Sequence, residues 1–464
     1  MQSRRGWPLA ETEPTGEESM EDLTGVCGRA VELATAAGAD EAEAFAVEGR
    51  LVNVELQKND IQIAKSMSGK GLGIRVFKNR SLGFAYVNSF DEPSMAESVE
   101  RAIGISSAAP SDEHNGLPEP MPIEFVDRLY DESAERYGVG EAVEQSLAML
   151  GTARDYDPRV TVDGGGLFAD VGSKAVVSTR GVRAVERGSL FYCYIMGMAR
   201  DGESVSSFDF QFDNSRFADG FDPVPCARRF AENAVASLGA VKGESFEGPV
   251  ILSPKAAANI IAYPIAASVL ASSVQKETSR FRGKLGQVVA SDLLTVRDDA
   301  SLRDGFGTTS FDREGLQPRA LPLIDGGVLV SFLYDSYTAR KEGRDSTGHA
   351  GGGAASVPAV STTNVIIEAG ETALDDMIAG IDLGILVTRF SGNISPVSGD
   401  FSGVVKGGRM IRAGKLAEPL CGTMIAGNSF ELMRRISAVS RESERLFSTV
   451  APYVALEGVK ITSG

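Results

Sequence analysis

One of the two histidines in this chain stands directly before a run of glycines. The stretch GRDSTGHAGGGAAS covers residues 343–356, and a single alanine separates His349 from three consecutive glycines. A histidine can act as a general base or bind a metal ion, and successive glycines can bring backbone N–H groups close to an oxyanion. Whether these chemistries are available depends on the other reactive residues and on their spacing.

Those residues do not complete a hydrolase based on serine or cysteine. An esterase oxyanion loop serves a serine on a G-x-S-x-G turn, and the sequence contains no such motif, since SGDFSG at 398–403 has a different spacing. The cysteines are widely separated, form no C-x-x-C motif and lack the local signature of a nucleophile. We predict that they are buried free thiols: Cys27, Cys193, Cys226 and Cys421.

Phosphate and metal sites are equally incomplete. GKGLG at 69–73 and GHAGGG at 348–353 fit neither the Walker spacing nor the dinucleotide-binding spacing. A zinc site usually needs three protein ligands, whereas His114 and His349 fall in different predicted domains and no H-E-x-x-H motif is present. A carboxylate site for Mg²⁺ or Ca²⁺ stays an open alternative without a specific candidate. We predict no catalytic residue and no metal ligand in this chain.

The composition is that of an acidic soluble protein with more than one domain. The chain has 464 residues, which is long for a single core, and it carries 46 Lys and Arg against 63 Asp and Glu, a net charge of −17. Such a charge repels phosphate, so we predict no binding to nucleic acid. No apolar run approaches the roughly 18 residues of a membrane span, so we predict none. Free thiols without a disulfide pattern predict a cytoplasmic location.

Hydrophobic periodicity predicts an α+β fold in three domains after a mobile tail. The tail is residues 1–19, which lack the apolar core of a signal peptide, so Met20 is an alternative start to Met1. The first two domains are predicted as α+β units with antiparallel sheets, and the third as strand-rich and glycine-rich. The Pro-rich acidic segment 109–122, which contains His114 as an exposed residue, is the predicted linker. The predicted domains are residues 20–120, 121–244 and 245–464.

Within these domains, alternating apolar residues predict short strands and amphipathic helices. The intervening Gly, Asn and Asp residues are interpreted as turns. The strands are predicted at 41–49, 51–57, 61–67, 71–79, 81–89, 158–165, 173–180, 183–189 and 190–199. The helices are predicted at 20–37, 91–109, 140–155, 223–240 and 254–274.

Five segments follow one another along the chain: GLGIRVFKNRSLGFAYVN, SDLLTVRDDASLRDGFGTTSFDREG, RDSTGHAGGG, VPAVSTTNVIIEAG and SGDFSGVVKGGRMIRAGKLAEPLCGTMIAGN. Together, and in this order, they resemble the TldD/PmbA family, once named modulators of DNA gyrase. The similarity runs from about residue 22 to residue 464. The resemblance implies an α+β architecture and a zinc metallopeptidase in which a catalytic TldD-type subunit pairs with a TldE (PmbA)-type subunit.

The same resemblance identifies this chain as a TldE/PmbA-type chain without the zinc motif. TldD-type chains carry H-E-x-x-x-H on a helix and a cysteine near the C-terminus as zinc ligands. The matching helix here is 254–274, where the motif would fall on or near 262–267, and residues 248–276 contain no His, Asp, Glu or Cys. Pro264 lies within the motif and would bend the helix. No Cys or His follows Cys421, which should not inherit the ligand role.

Two functions of different classes fit these observations. The first is a non-catalytic subunit of a heteromeric zinc metallopeptidase that degrades unfolded or small peptides, as a heterodimer in which a TldD-like partner supplies the zinc. The second is a homo-oligomeric peptide-binding or scaffold protein, such as a homodimer, without peptidase activity. A third hypothesis, an autonomous zinc protease, requires zinc in the isolated chain, and we do not expect it.

The residues predicted to face substrate or partner come from two glycine-containing turns and one asparagine. Glycine permits the close backbone approach of an extended peptide or a partner chain, although SGD is a common turn and Asn364 a common cap. For His349, a structural, hydrogen-bonded role is favoured over contact with substrate and over catalysis. The predicted set is Ser346, Thr347, Gly348, His349, Asn364, Ser398, Gly399, Asp400, Phe401 and Ser402.

Overall fold

Long strands dominate the first half of the chain. A computed structural model describes residues 22–464, so the predicted tail at 1–19 and the alternative start Met20 lie outside the described residues. The strands of this half are β1 Glu41–Gln57, β2 Asp60–Lys78, β3 Ser81–Val87, β4 Val160–Ser178, β5 Arg183–Asp201, β6 Ser204–Val205 and β7 Asp209–Ser215. Its helices are α1 Leu23–Ala36, α2 Glu92–Ala108, α3 Val139–Tyr156 and α4 Val224–Ala236.

The second half folds into a strand-rich domain. Its strands are β8 Val241–Lys242, β9 Phe246–Leu252, β10 Val296–Asp298, β11 Leu321–Asp325, β12 Val328–Leu329, β13 Ala350–Gly351, β14 Ala359–Val360, β15 Val365–Ile367, β16 Leu383–Val387, β17 Arg389–Ile394, β18 Asp400–Lys406, β19 Arg409–Arg412, β20 Lys415–Cys421, β21 Thr423–Asn428, β22 Ile436–Leu446 and β23 Thr449–Ser463. Its helices are α5 Pro254–Ala257, α6 Tyr263–Ser268, α7 Ala271–Gln275, α8 Ser336–Lys341, α9 Leu374–Ala379 and α10 Ser429–Leu432. The predicted α+β fold class is confirmed.

The first two predicted domains share one sheet. Its strand order is β3-β2-β1-β4-β5-β6, with β7 also paired with β5, and each of these pairings is antiparallel. Strand β1 of the first domain pairs with β4 of the second along nearly its whole length, from Glu43 opposite Ser178 to Gln57 opposite Gly164. The predicted boundary near residue 120 therefore divides α1 and α2 from α3 and α4, whereas the sheet extends across it.

A row of four glycines crosses the long strands of this shared sheet near the middle. Gly49 of β1 pairs with Gly69 of β2 on one side and with Gly172 of β4 on the other, and Gly172 pairs with Gly188 of β5. The backbones approach closely here, since a Cβ added at Gly172 would lie 2.6 Å from the carbonyl oxygen of Glu48. Glycine inside a strand marks such close approaches. We call these four residues the glycine row.

The glycine row separates two hydrophobic cores on one face of the sheet, here called the inner face. On one side of the row, Ala42, Ala44 and Ala46 of β1 pack with α1 and α2. On the other side, Val52, Val54 and Leu56 pack with α3 and α4. All six are even-numbered residues, and alternate residues of a strand share a face. The outer face carries the odd-numbered residues of β1, and it meets the C-terminal domain through Phe45 and Val47.

The predicted short strands merge into longer ones at the glycine row. The runs predicted at 41–49 and 51–57 form β1, and those at 61–67 and 71–79 form β2. The four strands predicted in the second domain likewise form only β4 and β5. The predicted breaks fall at or beside the glycines of the row. The strands continue through these glycines, which allow neighbouring backbones to pack closely and do not form turns.

The C-terminal domain is built on a mixed sheet. The main path runs β12-β11-β10-β15-β23-β9-β16-β19-β20-β8, and β17, β18, β21 and β22 join it through β23. The pairs β15–β23, β16–β9 and β20–β8 are parallel. One large hydrophobic core packs beneath this sheet and includes the buried residues of α5 and α6. None of the helices within residues 22–464 is long and apolar enough to cross a membrane.

The helix predicted over 254–274 is interrupted. A π-helical segment, Ala258–Ala262, connects α5 to α6, and Leu270 separates α6 from α7 by an isolated bridge to Leu333. Pro264 lies in the first turn of α6. Proline has no N–H to donate to the carbonyl one turn earlier, so the change of helical register just before it is expected.

The predicted linker is docked against the C-terminal domain. Arg340 of α8 donates from Nε to the carbonyl oxygen of His114 at 2.8 Å, and the hydroxyl of Tyr337 donates to Asp112 at 2.7 Å. The predicted exposure of His114 is found only in part, since its side chain is 31% exposed.

We expect Gly172→Ala to lower the free energy of unfolding by about 1–3 kcal/mol, because its methyl group forces two tightly packed backbones apart. The matched control is Gly104→Ala in α2, where no atom lies within 4 Å of the added Cβ. This control should raise the free energy of unfolding by about 0.5–1 kcal/mol. Urea unfolding followed by circular dichroism measures both, and a stabilising Gly172→Ala would contradict the role assigned to the glycine row.

Candidate functional site

A cleft lies between the outer face of the shared sheet and the loops of the C-terminal domain. It encloses about 750 Å³. One wall is formed by Phe45 and Val47 of β1 with Lys174 of β4, and the other by residues of the loop 307–313 and of the segment 348–363. The glycine-rich stretch singled out in the sequence, including β13 and β14, therefore lines this cleft.

The His349 side chain is enclosed by protein. Its Nε2 lies 3.1 Å from Oδ1 of Asp298, and its Nδ1 lies 2.9 Å from both the carbonyl oxygen and the hydroxyl of Thr347. The side chains of His349 and Asp298 have no exposed surface, and Asp298 also accepts from the backbone N–H of Thr363. Because protein groups occupy both ring nitrogens, the imidazole is not free to bind a metal ion or substrate. A structural, hydrogen-bonded role therefore stays the prediction for His349.

The three residues before His349 fix the backbone of the same segment. The hydroxyl of Thr347 accepts from the backbone N–H of Tyr334 at 2.8 Å, and the half-buried Ser346 lies 3.2 Å from the Tyr334 carbonyl oxygen. Gly348 has φ +73°, and a Cβ there would lie 2.3 Å from the carbonyl oxygen of Gln317. Only glycine fits that position comfortably. Of these three, Gly348 is the one that lines the cleft.

Asn364 is fully buried and does not face the cleft. Its Oδ1 accepts from the backbone N–H of Gly307 at 2.9 Å, and its Nδ2 donates to the carbonyl oxygen of Asp299 at 2.8 Å. The Asn364 amide therefore fixes the start of the loop 307–313, which forms part of one wall of the cleft. The prediction that Asn364 faces substrate or partner does not fit this burial, because each side of the amide is hydrogen-bonded within the protein.

The turn at 398–402 lies away from His349. It connects β17 to β18, and Nδ2 of Asn428 donates to Oδ1 of Asp400 and to the carbonyl oxygen of Ser398, both at 2.9 Å. Phe401 is buried in the C-terminal core, whereas Asp400 and Ser402 are exposed. None of the five predicted residues of this turn lines the cleft. The structure therefore divides the predicted site into two separate places.

Buried ion pairs fasten the shared sheet to the C-terminal domain beside the cleft. Arg75 of β2 contacts Glu43 of β1 at 2.7 Å and Glu314 at 3.0 Å, and Arg313 contacts Glu43 at 2.8 Å. Ser336 of α8 donates its backbone N–H to Glu314 at 2.9 Å. None of these four charged side chains is more than 5% exposed. Removing one partner would leave a buried charge unpaired, so the cluster fixes how the two parts meet.

The polar groups at the cleft are largely committed to the protein. The guanidinium of Arg313 lies over the Phe45 ring, 4.1 Å from its centroid, and Nζ of Lys174 lies 3.1 Å from Glu186. Asp312 accepts backbone N–H groups, including that of Ala350 at 2.9 Å, and burial raises its pKa, with the charge of Glu314 adding to the effect. What the cleft offers a ligand is therefore apolar walls and glycine-rich backbone, which suit an extended peptide.

A carboxylate that the sequence analysis missed lies on the same outer face. Asp170 of β4 stands four residues before Lys174, on the other side of the glycine row. No residue within 22–464 donates a hydrogen bond to it, and burial raises its pKa to about 7 against the opposing charge of Arg216. A perturbed carboxyl of this kind is typical of functional sites. In the sequence, the one indication of this carboxylate was a single charged residue within the otherwise apolar run LFADV.

The residues at the position of the family's zinc motif do not fit a zinc ion. Residues 262–267 read AYPIAA and contain no His, Cys, Asp or Glu, and Ala262 and Ile265 are buried in the C-terminal core. Nowhere in residues 22–464 do three or more His, Cys, Asp or Glu side chains form a group that could hold a metal ion. The free thiol of Cys421 is exposed, which corrects the prediction of burial, whereas the other three cysteines are buried.

We expect His349→Ala to lower the free energy of unfolding by about 1.5–3 kcal/mol, because a buried hydrogen bond to a carboxylate is lost. The control is a double-mutant cycle with Asp298→Ala. If the pair interacts as the structure shows, the double variant is less destabilised than the sum of the two single changes. Additive losses in urea unfolding would contradict direct coupling.

We expect the stability of the wild type to depend on the protonation of Asp170. Its folded-state pKa of about 7 lies above the ordinary value, so the stabilising effect of protonation is complete below about pH 4 and is lost as the pH rises through about 7. Asp170→Asn should therefore be more stable than the wild type, by an amount that grows between these pH values. Each unit by which the pKa is raised corresponds to about 1.4 kcal/mol.

Thermal unfolding at a series of pH values measures this difference. Asp155→Asn, at an exposed position of α3, removes the same charge and should show no such growth with pH. A stability difference between Asp170→Asn and the wild type that stays constant from about pH 4 to about pH 8 would contradict the raised pKa.

Nearly the whole chain is similar to known proteins. Family models describe residues 42–106 as PmbA/TldA metallopeptidase domain 1, 132–238 as the central domain and 245–463 as the C-terminal domain. The chain is 27% identical over 443 residues to a metalloprotease PmbA homolog of Haemophilus influenzae, covering 93% of this chain and 94% of the relative. It is 26% identical over 389 residues to a metalloprotease TldD homolog of the same bacterium, covering 81% and 80%.

Solved structures agree with these matches. TldE from Thermococcus kodakarensis has a TM-score of 0.86 and 26% identity, covering 94% of this chain and 100% of its own. A putative modulator of a DNA gyrase from Thermotoga maritima shares the fold, with a TM-score of 0.86 at 23% identity, covering 94% and 99%. Since three consecutive family models together span most of the sequence, the chain belongs to the PmbA/TldD metallopeptidase family.

Proposed function

We propose that this chain is a TldE/PmbA-type, non-catalytic subunit of a heteromeric zinc metallopeptidase that degrades unfolded or small peptides. A TldD-like partner supplies the zinc and its activated water. The observation that carries the proposal is that α6 and the π-helical segment before it contain no His, Cys, Asp or Glu, at the position where the resemblance places the metal motif of the catalytic chains. A subunit with no ligands at this position depends on another chain for hydrolysis.

A PmbA-type chain and a TldD-type chain occur together in one bacterium. Haemophilus influenzae has both a PmbA homolog and a TldD homolog similar to this chain. This coexistence supports a mixed complex, because a bacterium that keeps both chains can pair one with the other. Three buried free thiols and one exposed free thiol also favour a reducing compartment, so we infer that the complex works in the cytoplasm.

In the proposed complex the cleft of this chain holds the peptide in an extended form. Its apolar wall, from Phe45 and Val47, contacts side chains with little selectivity, and the glycine-rich β13–β14 hairpin provides main chain for hydrogen bonding. Main-chain hydrogen bonds are available to any sequence, which suits unfolded substrates. The exposed turn residues Asp400 and Ser402 stay candidates for contact with the partner chain.

Co-expression with a TldD-like protein of the same genome tests the proposal. We expect a stable mixed complex that contains zinc and cleaves a flexible peptide, whereas this chain alone contains no stoichiometric zinc and leaves the peptide intact. Elemental analysis, native mass spectrometry and a peptidase assay measure these outcomes. A homodimer alone with an inert mixture would favour the scaffold hypothesis, and zinc-dependent cleavage by the isolated chain would favour an autonomous protease.

A pair of variants separates the role of the cleft from complex formation. Ala359→Trp places a large ring at an exposed position of β14 that lines the cleft, and it should reduce peptide cleavage by the mixed complex without dissociating it. Ala108→Trp adds the same ring at the exposed end of α2 and should leave cleavage unchanged. Equal cleavage by the two variant complexes would argue against peptide binding in this cleft.

A further inference from the structure

The outer face of the sheet continues beyond the glycine row into a cluster of aromatic rings. Phe168 stacks on Tyr192 with ring centroids 4.6 Å apart and on Tyr194 at 6.1 Å. Phe306 of the C-terminal domain meets the edge of Tyr192 at 5.9 Å. These four residues are half-buried, so ring surface stays accessible on this face.

Asp170 lies on the same face as these rings, and the charge of Arg216 acts on it without a hydrogen bond. It follows Phe168 by two residues on the outer face of β4, and its charge acts on the hydroxyl of Tyr192, whose pKa is raised by burial first and by Asp170 second. Asp170 is almost entirely surrounded by protein, yet part of the residue keeps solvent access. No described residue hydrogen-bonds to its carboxyl.

The neighbouring cations form hydrogen bonds with other groups. Arg216 donates to the carbonyl oxygens of Ser189, Gly305, Phe306 and Thr308, whereas its Nε has no hydrogen-bond partner within residues 22–464, and its charge acts on Asp170 without a hydrogen bond. Lys174 is paired with Glu186, which in turn accepts from the backbone N–H of Ser310. Asp170 is therefore the carboxylate of this face whose hydrogen-bonding capacity is unused.

We propose that Asp170, Phe168 and Tyr192 form a subsite that binds a cationic group of the peptide, either its α-ammonium or a Lys or Arg side chain. The proposal rests on the proposed function, because it assumes that a peptide enters along the outer face. A carboxylate supplies strong hydrogen bonds to an ammonium or guanidinium group, and aromatic ring faces attract the same cations. The three residues thus offer both kinds of contact to a cation.

The geometry also sets a direction for the peptide. Lys174, at the cleft, and Asp170 lie on the same face of β4, four residues or about 13 Å apart. The glycine row lies between them, with Gly172 itself buried, and an extended peptide of about four residues has the length to span the two places. Lys174 is paired with Glu186, whereas no described residue donates a hydrogen bond to Asp170, so the cationic end is expected beyond the row.

Peptide binding to the full chain, alone and in complex with its TldD-like partner, tests the subsite. The probes are a flexible hexapeptide with one lysine, its norleucine analogue, and both peptides with acetylated N-termini, measured by calorimetry. We expect the cationic peptide to bind about tenfold or more tightly than the neutral one. The four probes separate an α-ammonium from a lysine side chain as the preferred cation.

Asp170→Asn should abolish this preference, and Asp155→Asn should keep it. The preference of the wild type should also weaken as the pH falls below about 7, because a protonated Asp170 no longer attracts a cation, whereas the variant should show no such pH dependence. Thermal unfolding verifies the fold of Asp170→Asn, which loses no hydrogen bond. Phe168→Leu is a second variant, expected to weaken the preference while keeping the carboxylate.

The outcomes distinguish the subsite from the function on which it rests. If the wild type binds cationic and neutral peptides equally, or if Asp170→Asn keeps the preference, the subsite is wrong and the proposed function stands. If no probe binds the chain or its complex and the complex is inert, the proposed function fails and the subsite with it.

Discussion

The glycine row is the constraint on which the rest of the structure depends. Four strands of 17 to 19 residues run through it without a break, so two pairs of helices share one sheet in place of two. At Gly49 and Gly172 the facing backbones leave no room for a side chain. The inner face therefore carries two cores, and on the outer face the glycine row separates the cleft from Asp170.

Charge determines how the C-terminal domain meets that outer face. The cluster of Glu43, Arg75, Arg313 and Glu314 is buried, and ion pairs in such surroundings often contribute little net stability because desolvation offsets their attraction. Their effect here is geometric, since a shifted domain would leave buried charges without partners. The 307–313 loop and the β13–β14 hairpin are thereby placed opposite Phe45 and Val47. The cleft is a product of this docking, not of either part alone.

Periodicity and capping signals are sufficient to predict the helices of the first half and the fold class. Asp91 and Pro93, for example, begin α2 where the sequence predicts a helix. Strand lengths could not be predicted, because glycine in a strand and glycine in a turn look alike until the neighbouring strands are known. His349 shows the same limit, since its partner Asp298 is distant in the sequence. In the sequence, Asp170 is noticeable only as one charged residue in an apolar run. Its importance follows from the absence of a hydrogen-bond donor among the described residues, which only the structure shows.

The shared sheet has a consequence for the synthesis of the chain. Strand β1 ends at Gln57, but its second neighbour, β4, begins only at Val160. At ribosomal rates of about 5–20 residues per second, the nascent β1–β2–β3 sheet waits on the order of 5–20 s with the long edge of β1 unpaired. An open edge of this length invites pairing with other chains. We therefore expect the emerging polypeptide to bind a ribosome-associated chaperone until β4 has been synthesised.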